Sequence, residues 1–378
     1  MDTEERLAAL RLHLTPGIGP RLFATLIERF GSAQAAVEAP ASALLRVPGI
    51  GRDTAGRIRE GLAQADPEAE LDRAASSGVR VLLRGEAGYP AALGYLADAP
   101  PVLYVKGTLE AVDAQAVTLV GTRKCSLYGS DQAERLGGGL ARAGFTVVSG
   151  LARGIDSSAH RGALAGGGRT LAVLGNGLAT VYPPENARLA GAVAEQGALL
   201  SEFPMTAEPA AENFPRRNRL LAALGLGTVV VEAGRRSGAL ITARLAGELG
   251  KEVFAVPNRV DAPGAAGVHA LLRDGAKLVE SVTDILDEFP DLAVPAGAAD
   301  ADAPHQATLA LKANLSAEES RLLEVLDGDP AGVDALASRS GLDAARVSGA
   351  LTLLELKGLA RALPGGRFVR RRGETQRH

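Results

Sequence analysis

Asp156, Ser157 and His160 fall within five positions of one another in the stretch VVSGLARGIDSSAH, which runs from Val147 to His160. A serine, a histidine and an acid are the parts of a nucleophilic triad, which works only when the serine and the acid meet opposite nitrogens of the imidazole. On a helix beginning at Asp156, the three side chains point along one face and share no reacting atom. The spacing predicts instead that Asp156 is an N-cap, its carboxylate accepting from free amides of the first turn. Glu232, at the end of the run TVVVE, is the better candidate for a lone acid.

The same stretch points to a second chemistry. An apolar run enters Gly150-Leu151-Ala152-Arg153-Gly154 and then a helix. Two other runs do the same, Val120 leading into Gly121-Thr122-Arg123-Lys124-Cys125-Ser126 and Leu174 into Gly175-Asn176-Gly177. Glycine lets amide N–H groups turn toward a ligand, and the following helix start adds a positive dipole end, so an anion site is expected. A dinucleotide would require G-x-G-x-x-G after the first strand and an acid about 20 residues on. GTRKCS lacks that spacing, the next run ends in Ser149, and GNGLAT lacks the third glycine. G-x-x-x-x-G-K-[ST] is absent too, so neither redox chemistry on a dinucleotide nor ATP hydrolysis is expected, and no cofactor is assigned.

Basic residues crowd the same loops. Arg123, Lys124, Arg153, Arg169, Arg216, Arg217, Arg219, Arg235 and Arg236 all lie in or beside them, although Arg169, just ahead of a strand, could belong to the opposite edge. Gathered on one rim they would form a track for a polyanion, whose binding releases counterions and depends on salt. In NFPRRNRL, three arginines sit within four positions beside Phe214, a ring able to stack a base while Arg217 or Arg219 holds its phosphate. The alternative puts Phe214 in the core, with Asn213 and Asn218 pinning a loop. SGALITA, from Ser237 to Ala243, offers another helix start with two hydroxyls, Ser237 and Thr242, for a phosphate or for capping.

These loops need a scaffold whose strands all end on one side. AVTLV, FTVVS, TLAVL, ALLSE, TVVVE and EVFAV are continuous apolar runs separated by Ala-rich amphipathic segments. Such strands are buried on both faces, which predicts a doubly wound α/β domain with a mainly parallel sheet over about Val79 to Phe289. Before it, LTPGIGPR and RVPGIGRD repeat a Pro-Gly-Ile-Gly turn between helical segments, either a helix-hairpin-helix gripping a DNA phosphate or two ordinary helix-helix turns, in a small helical domain of SAM-like or helix-hairpin-helix type over 1–75. After it, the Ala/Pro/Asp-rich stretch over 290–314 reads as a linker. Residues 315–378 then give three helices and a hairpin near Gly365, the order of a winged helix. Its third helix, Ala344 to Lys357, is poor in Arg, Asn and Gln, which favours contact with protein over duplex DNA.

Composition sets outer limits. With 46% hydrophobic and 22% charged residues, the 378-residue chain has material for real cores and for two or three domains. A net charge of −3 argues against a uniformly basic nucleic-acid binder but leaves room for a local patch. The single cysteine, Cys125, forms no intramolecular disulfide, and with five histidines a structural zinc is not expected. The acidic start MDTEERLAAL does not read as a signal peptide, and no run of about 18 apolar residues suggests a membrane span. A cytoplasmic protein is expected.

In order and spacing, GTRKCSLYG, SGLARGIDSSAH, TLAVLGNGL, VYPPEN, LLSEFP, NFPRRNR, VVVEAGRRSGALITA and VFAVP resemble the DNA-processing protein A family (DprA, also called Smf). The resemblance implies an extended Rossmann-like domain that binds single-stranded DNA, dimerises and helps load the RecA recombinase on DNA taken up in natural transformation. Single-stranded DNA-binding protein belongs to the same expected set of partners. No enzymatic activity is implied, nor any catalytic residue, metal or cofactor. By this similarity the pocket would be lined by Gly121, Arg123 and Ser126 and by Gly150, Arg153 and Gly154, and the glycine-loop reading adds Gly175, Asn176 and Gly177. Asn213, Phe214, Arg216, Arg217, Asn218 and Arg219 would join them, with Ser237, Gly238 and Thr242, and the basic-residue reading adds Arg169. Departures include Pro184-Glu185, where the family is often basic, and Val256-Pro257-Asn258 in place of Val-Pro-Gly.

Two other readings compete. One is a nucleotide phosphoribohydrolase of the LOG-like group, using Glu232, although the turn EAGRRSGALIT replaces that group's PGGxGTxxE signature. The other is a duplex-DNA regulator acting through the C-terminal domain.

Overall fold

The structure, a computed structural model, describes residues 2–290, 292, 315–326, 329–357 and 359–370. Contacts divide the chain into two units, Met1–Ala301 and Asp302–His378.

The first unit begins with helices α1 (Thr3–Leu14), α2 (Pro20–Phe30), α3 (Ala33–Glu38), α4 (Ala41–Leu44), α5 (Arg52–Gln64) and α6 (Pro67–Ser76). The two Pro-Gly-Ile-Gly turns close alike, Ile18 N donating to Thr15 O and Ile50 N to Val47 O, each at 3.1 Å. Ile18 and Ile50 both point inward, so the repeat seen in sequence is a repeat of packing. The helices do not keep a core of their own. Leu10, Leu26, Leu44 and Ile58 cluster with Val81, Tyr104 and Leu199 of the sheet that follows.

That sheet has nine strands: β1 (Val79–Leu83), β2 (Val102–Gly107), β3 (Ala116–Val120), β4 (Thr146–Ser149), β5 (Thr170–Val173), β6 (Gly197–Ser201), β7 (Gly227–Val230), β8 (Glu252–Ala255) and β9 (Lys277–Leu278). Their order is β1-β2-β6-β5-β4-β3-β7-β8-β9. Every pair from β6 to β9 is parallel, while β1 and β2 add an antiparallel edge. β3 to β6 are buried along their whole length, as continuous apolar runs require when helices cover both faces.

The covering helices are α7 (Ala91–Gly94), α8 (Leu127–Arg142), α9 (Ile155–Ala165), α10 (Ala187–Gln196), α11 (Asn213–Leu224), α12 (Ala239–Glu248), α13 (Ala265–Arg273) and α14 (Thr283–Leu286). Val117 and Leu119 of β3 pack with Leu136 and Ala159 of α8 and α9. Ala116 and Val120 pack with Leu220 and Ala243 of α11 and α12 on the other face. The chain leaves β3 toward β4, β5 and β6, then returns to β7 on β3's other side. The topological switch point therefore lies at the carboxyl ends of β3 and β7, where doubly wound sheets bind ligands.

The second unit holds α15 (Ala317–Val325), α16 (Val333–Ser340), α17 (Ala344–Leu356), β10 (Ala331–Gly332), β11 (Ala360–Leu363) and β12 (Arg367–Arg370). Leu322, Leu336, Val347, Leu351 and Leu354 form its core. The expected hairpin of β11 and β12 gains a third strand, β10, which pairs with β12. This is a winged helix, and Leu353 and Leu356 of α17 face outward. The linker expected over 290–314 lies, except for Pro290 and Leu292, outside the described residues. Among the described residues, no helix is long and apolar enough to cross a membrane, and no group of three or more His, Cys, Asp or Glu is placed to hold a metal.

Candidate nucleic-acid interface

The loop after β3 enters α8 through Ser126, whose Oγ accepts from Gly129 N at 3.0 Å. Ser126 N and Oγ in turn donate to Glu232 Oε2 at 3.0 and 2.9 Å. Glu232 reaches across from just beyond β7 and is 4% exposed, enclosed by Gly129 and Gly264. A helix start at a switch point is a phosphate cradle. Here the protein's own carboxylate fills it. Glu232 also fixes the neighbouring turn, its backbone oxygen accepting from Thr122 N at 2.7 Å.

The loop after β4 repeats the device. Leu151 has φ 55, so the amides of Gly150 and Ala152 on either side of it converge, as in an anion-binding nest. Both donate to Asp156 Oδ2, at 3.1 and 3.4 Å. The expectation that Asp156 caps α9 is therefore corrected. The helix starts one residue earlier, at Ile155, with Gly154 as its N-cap. Gly154 has φ 74 and lies tight against the backbone of Thr122 and Arg123, a place no side chain could occupy. From the first turn, the Asp156 carboxylate bends back to the loop, and burial holds its carboxyl above the usual range.

Arg217 supplies the opposing charge. Its Nη1 donates to Gly150 O at 2.9 Å and to Val173 O. A Cβ on Gly150 would lie 2.5 Å from this guanidinium, so glycine is required by the close approach. Burial, with Arg123 nearby, pulls the Arg217 pKa down to about 10, against the pull of Asp156. Arg217 is thus a buried structural cation and not an exposed phosphate ligand.

The Asp156, Ser157 and His160 side chains serve three different partners. Ser157 Oγ donates to Ala152 O at 2.6 Å. Thr170 gives its only hydroxyl proton to Val147 O, so His160 Nδ1, at 2.7 Å, must be the donor to Thr170 Oγ1. The imidazole is fully buried, and desolvation pushes its pKa down to about 3. This folded value lies below the unfolded one, so the unfolded chain binds the extra proton and stability falls as pH drops from about 6.5. Replacing His160 with Gln should remove up to ~1.4 kcal/mol per pH unit of that acid sensitivity between about pH 6 and 4, read from urea midpoints. An unchanged pH slope would refute the assignment.

What remains open to solvent is a cleft beside these closed cradles. Arg123, Gly150, Ala152, Arg153, Gly175, Tyr182, Pro183 and Phe214 line its inner end. It continues over Pro209, Ala211 and Pro215 as an open volume of about 460 Å³. The Arg123 guanidinium lies 4.8 Å from the centroid of the Phe214 ring. Tyr182 packs on the same ring at 5.8 Å and 45°. Arg123 is exposed and has no acid partner among the described residues. A cation over a half-buried ring beside a second ring can stack a base and hold its phosphate. Arg216, Arg235 and Arg236 are likewise exposed, Arg216 lying 5.3 Å over the Phe203 ring.

Other expected members lie elsewhere. Arg169 does not join the rim. It sits at the amino end of β5, paired with Asp113 at 2.9 Å and Glu110 at 2.6 Å. Arg219 is held by Glu202 at 2.5 Å and Asp98 at 3.2 Å. NFPRRNRL is not a loop but the opening of α11, since Pro215 falls in the first turn, where its missing N–H breaks no helical bond. Asn213 is buried, and Asn218 Nδ2 donates to Gly238 O at 3.2 Å, tying α11 to the start of α12. Asn176 Nδ2 donates to Gly177 O and Thr180 O, which shapes its loop. Ser237 Oγ accepts from Ala239 N at 3.3 Å, and Thr242 is buried. Tyr182 escaped the sequence reading. Its signal was an aromatic beside two prolines in VYPPEN.

Comparison with known proteins agrees with this architecture. The model described as DNA recombination-mediator protein A matches residues 80–290, the DprA-like N-terminal HHH domain matches 3–72, and the DprA winged helix domain matches 300–366. Protein Smf of Escherichia coli is 42% identical over 288 residues, 75% of each chain. The X-ray structure of DprA from Streptococcus pneumoniae has a TM-score of 0.66 and 33% identity, covering 76% of this chain and 98% of that one. DprA from Helicobacter pylori, solved to describe its single-stranded DNA binding mode, has a TM-score of 0.51 and 29% identity, covering 56% and 96%. Matched in all three of its parts, the chain belongs to the DNA recombination-mediator protein A family.

Proposed function

We propose that this protein binds single-stranded DNA in the cleft at the carboxyl edge of the sheet, as a recombination mediator that protects incoming strands and passes them to the RecA recombinase. One observation carries the reading: Arg123, with no acid partner among the described residues, stands over an aromatic ring in an open cleft whose neighbouring phosphate cradles are filled from within. A free nucleotide would need those cradles. A strand needs only a ring and a cation for each base and phosphate. The Helicobacter pylori relative, whose structure was solved to describe a single-stranded DNA binding mode, supports the same reading. Homodimerisation, contact with single-stranded DNA-binding protein and a cytoplasmic location complete the proposal. Binding rather than catalysis is its activity, because Glu232, the acid a phosphoribohydrolase would use, is buried on Ser126.

Arg123→Ala tests it by fluorescence anisotropy on an oligo-dT strand. Loss of one charge-assisted contact should weaken binding about tenfold or more and lower the salt slope by about 0.7. Unchanged affinity and slope would remove the cleft from the binding site.

A further inference from the structure

Arg153, at the inner end of the cleft, is not free. Its Nε donates to Glu185 Oε1 in an ion pair whose side chains are 52% and 50% exposed. Glu185 belongs to the short turn Pro184–Asn186, and that turn is pinned to the loop bearing Arg153. Asn186 Nδ2 donates to Leu151 O at 2.8 Å and to Ser157 Oγ at 2.9 Å. Pro183, one residue before the turn, lines the cleft together with Arg153. The carboxylate is therefore presented to the arginine at high effective concentration, yet remains in water.

We propose that Glu185 is a built-in competitor for a strand phosphate on Arg153, holding this arginine neutralised beside the cleft until a phosphodiester displaces the carboxylate. The inference rests on the strand-binding reading above. Three carboxylates thus occupy phosphate-binding positions on this edge. Asp156 and Glu232 are buried and permanent. Glu185 alone is solvated, in the class of exposed ion pair that adds little to stability and exchanges readily. When a phosphate replaces it, the freed Glu185 carboxylate takes up a cation in place of the one the strand gives up, so in the native protein this contact adds no net counterion release to the salt dependence of binding.

The experiment compares Glu185→Gln, Arg153→Ala and the double variant on an oligo-dT strand between about 50 and 200 mM salt. Thermal midpoints serve as the check on folding, which both exposed positions should leave unchanged. Glu185→Gln is expected to bind about two- to fivefold more tightly and to steepen the salt slope by about 0.7, the steepening vanishing when Arg153 is also alanine. Wild-type affinity and slope in Glu185→Gln, while Arg123→Ala still weakens binding, would overturn the inference alone. Steepening that persists without Arg153 would overturn it as well. If neither Arg123→Ala nor Glu185→Gln changes binding, the cleft reading falls with it.

Discussion

Arg217→Met is expected to destabilise the first unit by about 3–5 kcal/mol, the usual consequence of removing one charge from a buried opposing set. Methionine keeps much of the volume and the flexible stem, so the loss reports charge and hydrogen bonds more than a cavity. Gly150 O and Val173 O would lose their guanidinium donor, and Asp156 would be left buried with two backbone amides and the nearby Arg123 against its charge. Because the Arg217 pKa stays near 10, the arginine is charged throughout the neutral range, and the effect should not depend on pH between about 6 and 8. Urea unfolding measures it. Asp156→Asn in the same chain should restore part of the loss, since a neutral amide still accepts from Gly150 and Ala152 without requiring a countercharge. A single variant within about 1 kcal/mol of wild type would show that the guanidinium is replaceable packing.

That a single arginine among eight should hold the sheet edge together was not legible in the sequence. Arg216, Arg217 and Arg219 look alike in a linear reading, and Arg169 differs only in its place just ahead of a strand. Their fates are set by partners far along the chain: Asp113 is 56 residues from Arg169, Glu202 is 17 from Arg219, and Gly150 is 67 from Arg217. The same separation hid the internal anions, since Glu232 meets Ser126 across 106 residues. The strands were readable for the opposite reason, because burial on both faces writes itself locally as an unbroken apolar run. α11 was missed where two rules conflict. Its buried face begins with Asn213 and Arg217 before reaching Leu220, Leu221 and Leu224, so its first turns carry no apolar period, and Pro215 marks them as a breaker. The glycine loops lie at the strand ends as expected, but the amides of those after β3 and β4 hold carboxylates of the protein instead of a ligand's phosphate, and Gly177 N donates to Ala207 O. Backbone torsion sets where an anion can sit and says nothing about whose anion it is.

The second large effect is expected on binding. Phe214→Ala should weaken an oligo-dT strand by about 1–3 kcal/mol, roughly five- to 150-fold, the range found when one base loses its stacking platform. The ring is half-buried, with Tyr182 on one side and the Arg123 guanidinium on another, and Gly175 leaves room for its edge, a Cβ there lying 3.0 Å from Cδ1. Such a ring has one orientation, so a base that stacks on it loses little entropy in the platform. Phe214→Tyr keeps the face and should retain most of the affinity. The salt slope separates this residue from Arg123. Removing a ring removes no charge, so Phe214→Ala should shift the whole salt titration to weaker binding at unchanged slope, whereas Arg123→Ala should also flatten it. If Phe214→Ala flattened the slope as much as Arg123→Ala, the ring would be acting only as a support that aims the guanidinium. If it left affinity intact, the strand would run along the arginines without entering the cleft.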